Sequence, residues 1–315
     1  MTPRLQRPAG GIVLVVGGGF LGGSISAGLV FAGQPVTLLT RRAPFASNDR
    51  GLTSVVGDAA DRATVETALD GATDVVFCAG SARPVEAELD PAAARVQDLA
   101  PLNTVLESLR ARPAVRLLYL SSGGTVYGEP DQLPVPESHP LRPRSTYGAL
   151  KAEAEARVGE LREERGGGAT ALRCSNVYGP RQQPWRSQGV IATLIAAARS
   201  GDTVPLYGDG QAVRDHLWID DVSDAVRRLI GRAELPAAIN VGSGVGTTLG
   251  GLVDRVAHAA GRPIHVRYEP HRPTDLHSVL LDSSLLRGLT GFDPTPLAIG
   301  LQRLLGAPGG SVACR

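Results

Sequence analysis

A tyrosine and a lysine four residues apart, Tyr147 and Lys151 in the stretch STYGALKAEAEARV, carry the clearest chemistry in this 315-residue sequence. On a helix, positions i and i+4 share one face, so the phenol and the amine would sit side by side. A phenol has a pKa near 10 and is a poor base at neutral pH; a neighbouring ammonium favours the phenolate. The lysine also stands out by number. Of 32 basic residues, Lys151 is the one lysine and the other 31 are arginines. An amine is a compact point donor that reaches a ribose hydroxyl, and its proton is removable. A guanidinium is a wider fork that stays charged. The pair predicts proton transfer at neutral pH.

A second cluster lies near the start of the chain. In VVGGGFLGG, the spacing Gly17-x-Gly19-x-x-Gly22 follows an apolar strand run and opens a helix. Glycines there let the backbone turn sharply and approach a pyrophosphate, while the helix N-terminus offers N–H donors and a favourable dipole. Gly17, Gly19, Phe20, Leu21 and Gly22 are the candidate dinucleotide cradle. The next strand ends TLLTRR. A chain that binds NAD places Asp or Glu about 20 residues past the glycines, to accept from the ribose hydroxyl. Here Thr40 takes that place, followed by Arg41 and Arg42. Guanidinium groups suit a 2′-phosphate, so NADP(H) is favoured, with NAD(H) as the alternative.

These residues need a scaffold, and the pattern supplies one. Ile12–Val16, Pro35–Thr40, Leu52–Gly57, Asp74–Gly80 and Val115–Ser122 read as short buried strands. Helical segments around Leu21–Gly33, Ala63–Leu69 and Ala92–Arg110 separate several of them, with Pro101 expected to bend or interrupt the last. Alternation of this kind predicts an α/β fold, a Rossmann-type doubly wound parallel sheet. Beyond Lys151, Thr170–Cys174 reads as another strand, and the stretches HLWIDDVSDAVRRLI and AAINVGSG as one more helix and strand. The Pro-broken remainder suits a smaller C-terminal substrate-binding lobe. The expected division is a cofactor-binding domain over 10–175 with a returning segment about 213–242. The lobe then comes from 176–212 and 243–306, and 307–315 is a frayed tail.

Composition narrows the partners. A formal net charge of +1 gives no basic field for nucleic acid and no polybasic patch for a membrane. The first apolar run is glycine-rich and reads as neither a signal-peptide core nor a membrane span. Cys78, Cys174 and Cys314 show no CxxC spacing, and the six histidines show no metal-ligand spacing. The expectation is a reduced cytoplasmic enzyme without a metal.

With the glycine loop, LSSGGTVYGE, STYGALK and LRCSNVYGP in that order, the chain resembles the extended short-chain dehydrogenase/reductase family, and more narrowly its nucleotide-sugar epimerases, dehydratases and ketoreductases. The resemblance runs from about residue 11 to 305. It implies Tyr147 as acid/base and Lys151 on the nicotinamide ribose. It places Asp58 and Ala59 near the adenine, and Ala79 and Gly80 along the dinucleotide. It puts Asn176 on the substrate phosphates, Leu206 and Tyr207 about the nucleobase, and Arg214 and Arg272 on the diphosphate. The substrate would be a dTDP- or UDP-linked sugar, and a homodimer would form through the helices around 92–110 and 146–165.

Three departures matter. Members often carry Ser or Thr four residues before the Tyr of VYG, where this chain has Gly123; Ser122 and Thr125 flank it, and Thr125 is the favoured replacement. Members that eliminate water often carry an Asp-Glu pair after that Thr, and GGTVYG has none. Arg95 stands where the family often has Asn. Two reactions remain. One is a 4-ketoreductase that uses NADPH on a nucleotide-linked 4-keto-(deoxy)hexose, with Tyr147 protonating the developing alkoxide. The other is an NAD-dependent 4-epimerase that keeps its cofactor. The TRR segment favours the first. A non-catalytic dinucleotide sensor would tend to lose the Tyr or the Lys, and this chain keeps both.

Overall fold

The computed structural model describes residues 11–42, 51–80, 84–184, 189–232 and 234–306; the expected tail at 307–315 lies outside them. The strands in chain order are β1 (Ile12–Val16), β2 (Val36–Thr40), β3 (Leu52–Val56), β4 (Ala72–Phe77), β5 (Arg116–Ser122), β6 (Ala169–Cys174), β7 (Asn176–Tyr178), β8 (Val204–Tyr207), β9 (Val213–Trp218), β10 (Ala238–Val241), β11 (Gly246–Thr248), β12 (Val266–Glu269) and β13 (Ser278–Val279). The helices are α1 (Phe20–Phe31), α2 (Arg62–Ala68), α3 (Pro84–Leu89), α4 (Pro91–Arg110), α5 (Thr146–Arg165), α6 (Val190–Ser200), α7 (Ile219–Leu229), α8 (Leu249–Ala260), α9 (Ser284–Thr290) and α10 (Leu297–Gly306).

The seven-stranded sheet has the order β3-β2-β1-β4-β5-β6-β10, and every pairing in it is parallel. The apolar runs become its central strands because both faces are covered. On one side Leu14, Val16, Phe77, Leu117 and Tyr119 pack beneath α2, α4 and α5. On the other, Val13, Val15, Val76, Leu118 and Leu172 pack beneath α1 and α7. Strand order reverses between β1 and β4. In such sheets the crevice outside the carboxyl ends at that reversal is where ligands bind.

Local signals set the helix ends. Asp61 and Asp90 cap α2 and α4 through the amides of Thr64 and Ala93, and Pro91 occupies the tolerant first turn of α4. Pro101 does not interrupt α4, which continues for 20 residues. Burial of Leu99, Leu102, Val105, Leu106 and Leu109 along one face outweighs the one missing N–H. Ser145 caps α5, and Gly166 ends it in the left-handed region at φ +68°.

The chain then leaves the large sheet. β7, β9, β11 and β13 form a second sheet, and β8 pairs with β12 in a third. Between them, α7 and β10 return to the large sheet, α7 against α1 and β10 beside β6. A separate cluster of Tyr178, Trp218, Ile191, Leu194 and Leu252 forms the core of this region. Phe20 and Leu21, the first residues of α1, pack against that cluster and join the two parts. No helix among the described residues is long and apolar enough to cross a membrane.

Candidate active site

The glycine loop leaves β1 at the strand-order reversal. Gly17 adopts φ +104°, and its N–H donates to the Leu39 carbonyl of β2 at 2.8 Å. A Cβ on Gly17 would lie 2.8 Å from the Ala79 nitrogen, and one on Gly22 would lie 1.8 Å from the Gly17 carbonyl oxygen. Both glycines are required by close approach of backbone to backbone. Gly19 differs: it is exposed, a Cβ there would meet nothing within 4 Å, and it caps α1 with no side-chain hydrogen bond. The first N–H groups of α1 thus open onto free space beside the loop. That geometry fits the pyrophosphate of a dinucleotide.

The neighbouring strand ends bring the other cofactor candidates to the same edge. Thr40 ends β2 with its hydroxyl 2.6 Å from the Cβ position of Gly18, and Arg41 and Arg42 follow, both exposed. Asp58 lies just after β3, exposed, with its carboxylate accepting from the Ala60 amide at 2.9 Å; Ala59 is buried beside it. Ala79 packs on the glycine loop, and Gly80 turns toward Lys151.

The tyrosine and lysine meet as their spacing predicts. Ser145 accepts from the Gly148 amide at 3.1 Å, and the Glu88 carboxylate of α3 receives the Thr146 amide and hydroxyl at 2.7 and 2.9 Å. A Cβ on Gly148 would stand 2.9 Å from the Thr125 carbonyl, so glycine there lets the start of α5 close on the loop after β5. Tyr147 is half-buried. Lys151 is only 7% exposed, with Nζ 5.5 Å from the centre of the Tyr147 ring and 5.8 Å from that of Tyr119. Burial disfavours the ammonium, but the two phenols and the Asp98 carboxylate outweigh it, so the Lys151 pKa lies above that of a free lysine. The expectation of a removable proton on Lys151 does not match this environment. Compactness is what the site uses. Tyr119 is itself pushed up to about 12 by burial, with Lys151 pulling the other way.

Asp98 is the residue that sequence reasoning missed. It projects from α4, 6% exposed, with Oδ2 3.4 Å from Lys151 Nζ. Arg95, three residues earlier and singled out in the sequence, instead faces solvent in an ion pair with Glu153. The signal was available: Asp98 falls on the apolar stripe of α4, with Ala94, Leu102 and Val105, where an unpaired carboxylate would be costly.

At the end of β5, the position expected to hold a hydroxyl is closed. A Cβ on Gly123 would lie 2.6 Å from Leu281 Cδ1 and 3.0 Å from the Arg173 carbonyl. Glycine is there because Leu281, fully buried, takes the space. Thr125 is half-buried near the start of α5, and its hydroxyl donates to the Ser122 carbonyl at 3.3 Å.

The substrate candidates divide. Asn176 donates to the Asp215 carbonyl at 3.1 Å and lies against Gly124, which brings it to the catalytic side. Arg214 donates to the backbone carbonyls of Val213, Leu276 and His277 at 2.8, 2.6 and 3.2 Å. Burial lowers its pKa, and Asp275 and Glu129 oppose that only in part. His216 follows on the same face of β9, buried and pushed down to about 4 by burial and then by Arg214, so it is neutral near pH 7. Arg272 is exposed, stacked 4.1 Å over the Tyr207 ring, and held by Asp275 in two contacts of 2.9 Å. Leu206 is buried, while Tyr207 faces outward.

A doubly wound parallel sheet with a glycine cradle at its strand-order reversal, and a half-buried Tyr147 over a buried Lys151 beside it, is the architecture of the extended short-chain dehydrogenase/reductase class. Residues 13–242 match the profile of the NAD dependent epimerase/dehydratase family, and the chain belongs to that family. It is 35% identical over 198 residues to a UDP-glucose 4-epimerase of Mycolicibacterium smegmatis, a match that spans 62% of this chain and 63% of that protein. It is 33% identical over 158 residues to a dTDP-4-dehydro-6-deoxy-D-allose reductase of Streptomyces sp, covering 50% of this chain and 46% of that one. Among solved structures, the Thermus thermophilus UDP-glucose 4-epimerase in complex with NAD superimposes with a TM-score of 0.85 at 31% identity, covering 95% of this chain and 100% of that one.

Proposed function

We propose that the protein is a nucleotide-sugar 4-ketoreductase that uses NADPH to reduce a dTDP- or UDP-linked 4-keto-(deoxy)hexose. The observation that carries this reading is the end of β2: Thr40 where a ribose-binding carboxylate would stand, followed by exposed Arg41 and Arg42 at the mouth of the cradle. When bound, the nicotinamide supplies the hydride. Tyr147 gives its proton to the oxygen of the reduced carbon, and Lys151 holds a fixed positive charge beside the phenol. Thr125 and Ser122 are the hydroxyl candidates to orient that oxygen, in place of the position closed by Leu281. Asn176 and Arg214 would bind the diphosphate. Arg214 suits it because its hydrogen bonds go to neutral carbonyls, which leaves its charge for an anion. Arg272 and Tyr207 would flank the base, with Leu206 packed behind them. Asp58 and Ala59 would frame the adenine. A homodimer through α4 and α5 belongs to the same proposal, with size-exclusion chromatography as its check.

The second reading is a 4-epimerase with retained NAD. The likeness to UDP-glucose 4-epimerases over most of the chain favours it. Dehydration is disfavoured because Thr125 is followed by Val126 and Tyr127 rather than an acidic pair. The two enzyme readings separate when the purified protein is denatured and the released nucleotide identified. Little bound cofactor, together with tighter binding of added NADPH than NADH, supports the reductase. Stoichiometric bound NAD overturns it in favour of the epimerase.

A further inference from the structure

α4 buries an apolar face made of Ala94, Leu99, Leu102, Val105, Leu106 and Leu109, and Asp98 is the charged residue on it. A carboxylate in such a place is costly unless it is paired and hydrogen-bonded. Its oxygen stands 3.4 Å from Lys151 Nζ. The pair is packed against Gly80, where a Cβ would come 3.1 Å from Nζ and 3.3 Å from Asp98 Oδ2. Glycine at position 80 thus lets the backbone come close to both charged groups.

We propose that Asp98 is a positioning residue: its carboxylate fixes Lys151 as an oriented, standing ammonium, so that Lys151 acts on Tyr147 by charge alone and gives up no proton during the reaction. The consequence for catalysis rests on the reading of Tyr147 as the acid/base; the state of Lys151 does not. The groups that face the amine are few. Asp98 comes from α4, Tyr119 from β5, Cys78 from the end of β4 and Tyr147 from α5 itself. Glu155, one turn further along α5, is engaged by Arg173 of β6, and Glu88 of α3 is engaged by Thr146. Asp98 is thus the carboxylate in direct contact with the ammonium.

Because the chain holds a single lysine, [15N]lysine labelling of this 315-residue chain gives one side-chain resonance, that of Lys151. The resonance is followed from pH 7 to 11 without substrate, in the wild type and in Asp98→Asn, which keeps the shape and removes the charge. The wild type is expected to hold its ammonium shift past the ordinary lysine pKa of about 10.4. In D98N the midpoint should fall by roughly one to three pH units. A wild-type midpoint below the ordinary value, or an unchanged midpoint in folded D98N, overturns the proposal. Should D98N fail to fold, the wild-type titration still decides: a midpoint above the ordinary value supports the proposal, and one below it overturns it. The expected titration in a protein inactive on nucleotide sugars would leave the Asp98 assignment standing and remove the proposed reaction. Activity with the wrong titration would do the reverse.

Discussion

Two successive turns of α5 each present a buried charge to the sheet, and they do so differently. At Glu155 the partner is an arginine. Arg173 donates through Nε and Nη2 to the carboxylate at 2.9 and 2.7 Å, and through Nη1 to the Tyr127 hydroxyl and the Glu137 carbonyl. Ser121 donates to Glu155 at 2.5 Å, and Tyr127 continues the chain to Asn240 at 2.7 Å. At Lys151 the contact is one oxygen at 3.4 Å, with two phenol rings around the nitrogen. The first turn uses the fork of a guanidinium to lock β5, β6, β10 and α5 together. The second uses a compact charge to influence a neighbour. A chain that otherwise uses only arginine keeps its one lysine where a single nitrogen meets one carboxylate oxygen.

The sharpest way to separate the turns is Tyr147→Phe. It should lower kcat about 100- to 10,000-fold, the usual share of general acid–base catalysis, while the melting temperature barely moves. Glu155→Gln should do the opposite. It leaves Arg173 without its carboxylate and should cost roughly 3–5 kcal/mol in urea denaturation, with kcat per folded molecule retained. If E155Q instead abolished turnover at full stability, the division of labour between the turns would be broken. Lys151→Arg keeps the charge but must displace the packing at Gly80; misplacing the group should reduce kcat on the order of a hundredfold.

Alkaline pH probes buried thiols and a buried phenol on the two faces of the large sheet. Cys174 and Tyr119 are both raised to about 12, chiefly by burial, and Cys78 is raised as well. The folded state keeps these protons where the unfolded chain would release them. The stability they confer is therefore complete below the unfolded pKa values and is lost as pH rises beyond them. Denaturation midpoints should fall from about pH 9 upward, by about 1.4 kcal/mol per pH unit for each group engaged. Cys174→Ser should flatten that fall. The smallest effect belongs to the exposed pair between α4 and α5: Arg95→Ala should cost only about 0.2–1 kcal/mol, since Arg95 and Glu153 are both in reach of solvent.

How much of this was legible in the sequence differs between the same regions. The central strands and the glycine loop were readable because buried parallel strands and a backbone cradle leave contiguous local patterns, as in Ile12–Val16 and Gly17–Gly22. Tyr147 and Lys151 were readable because a helix turns a spacing of four into one face. Asp98 was readable only as a charge on the apolar stripe of α4; its partner was not, because Lys151 is 53 residues away and the pairing exists only once α4 lies beside α5. Gly123 was read as a missing hydroxyl, and its cause, Leu281, comes from the far end of the chain. β9 shows the same limit. HLWIDDVSDAVRRLI reads as one helix, yet His216–Trp218 end β9 and the helix starts only at Ile219; β9 pairs with β7, β11 and β13 rather than with the large sheet.

The proposed reduction is tested most directly by the absorbance of NADPH, followed with wild-type protein and a dTDP- or UDP-linked 4-keto-6-deoxyhexose. Substrate-dependent loss of NADPH and one equivalent of 4-hydroxy sugar nucleotide are expected. No NADPH consumption, with interconversion of UDP-glucose and UDP-galactose on bound NAD, would contradict it.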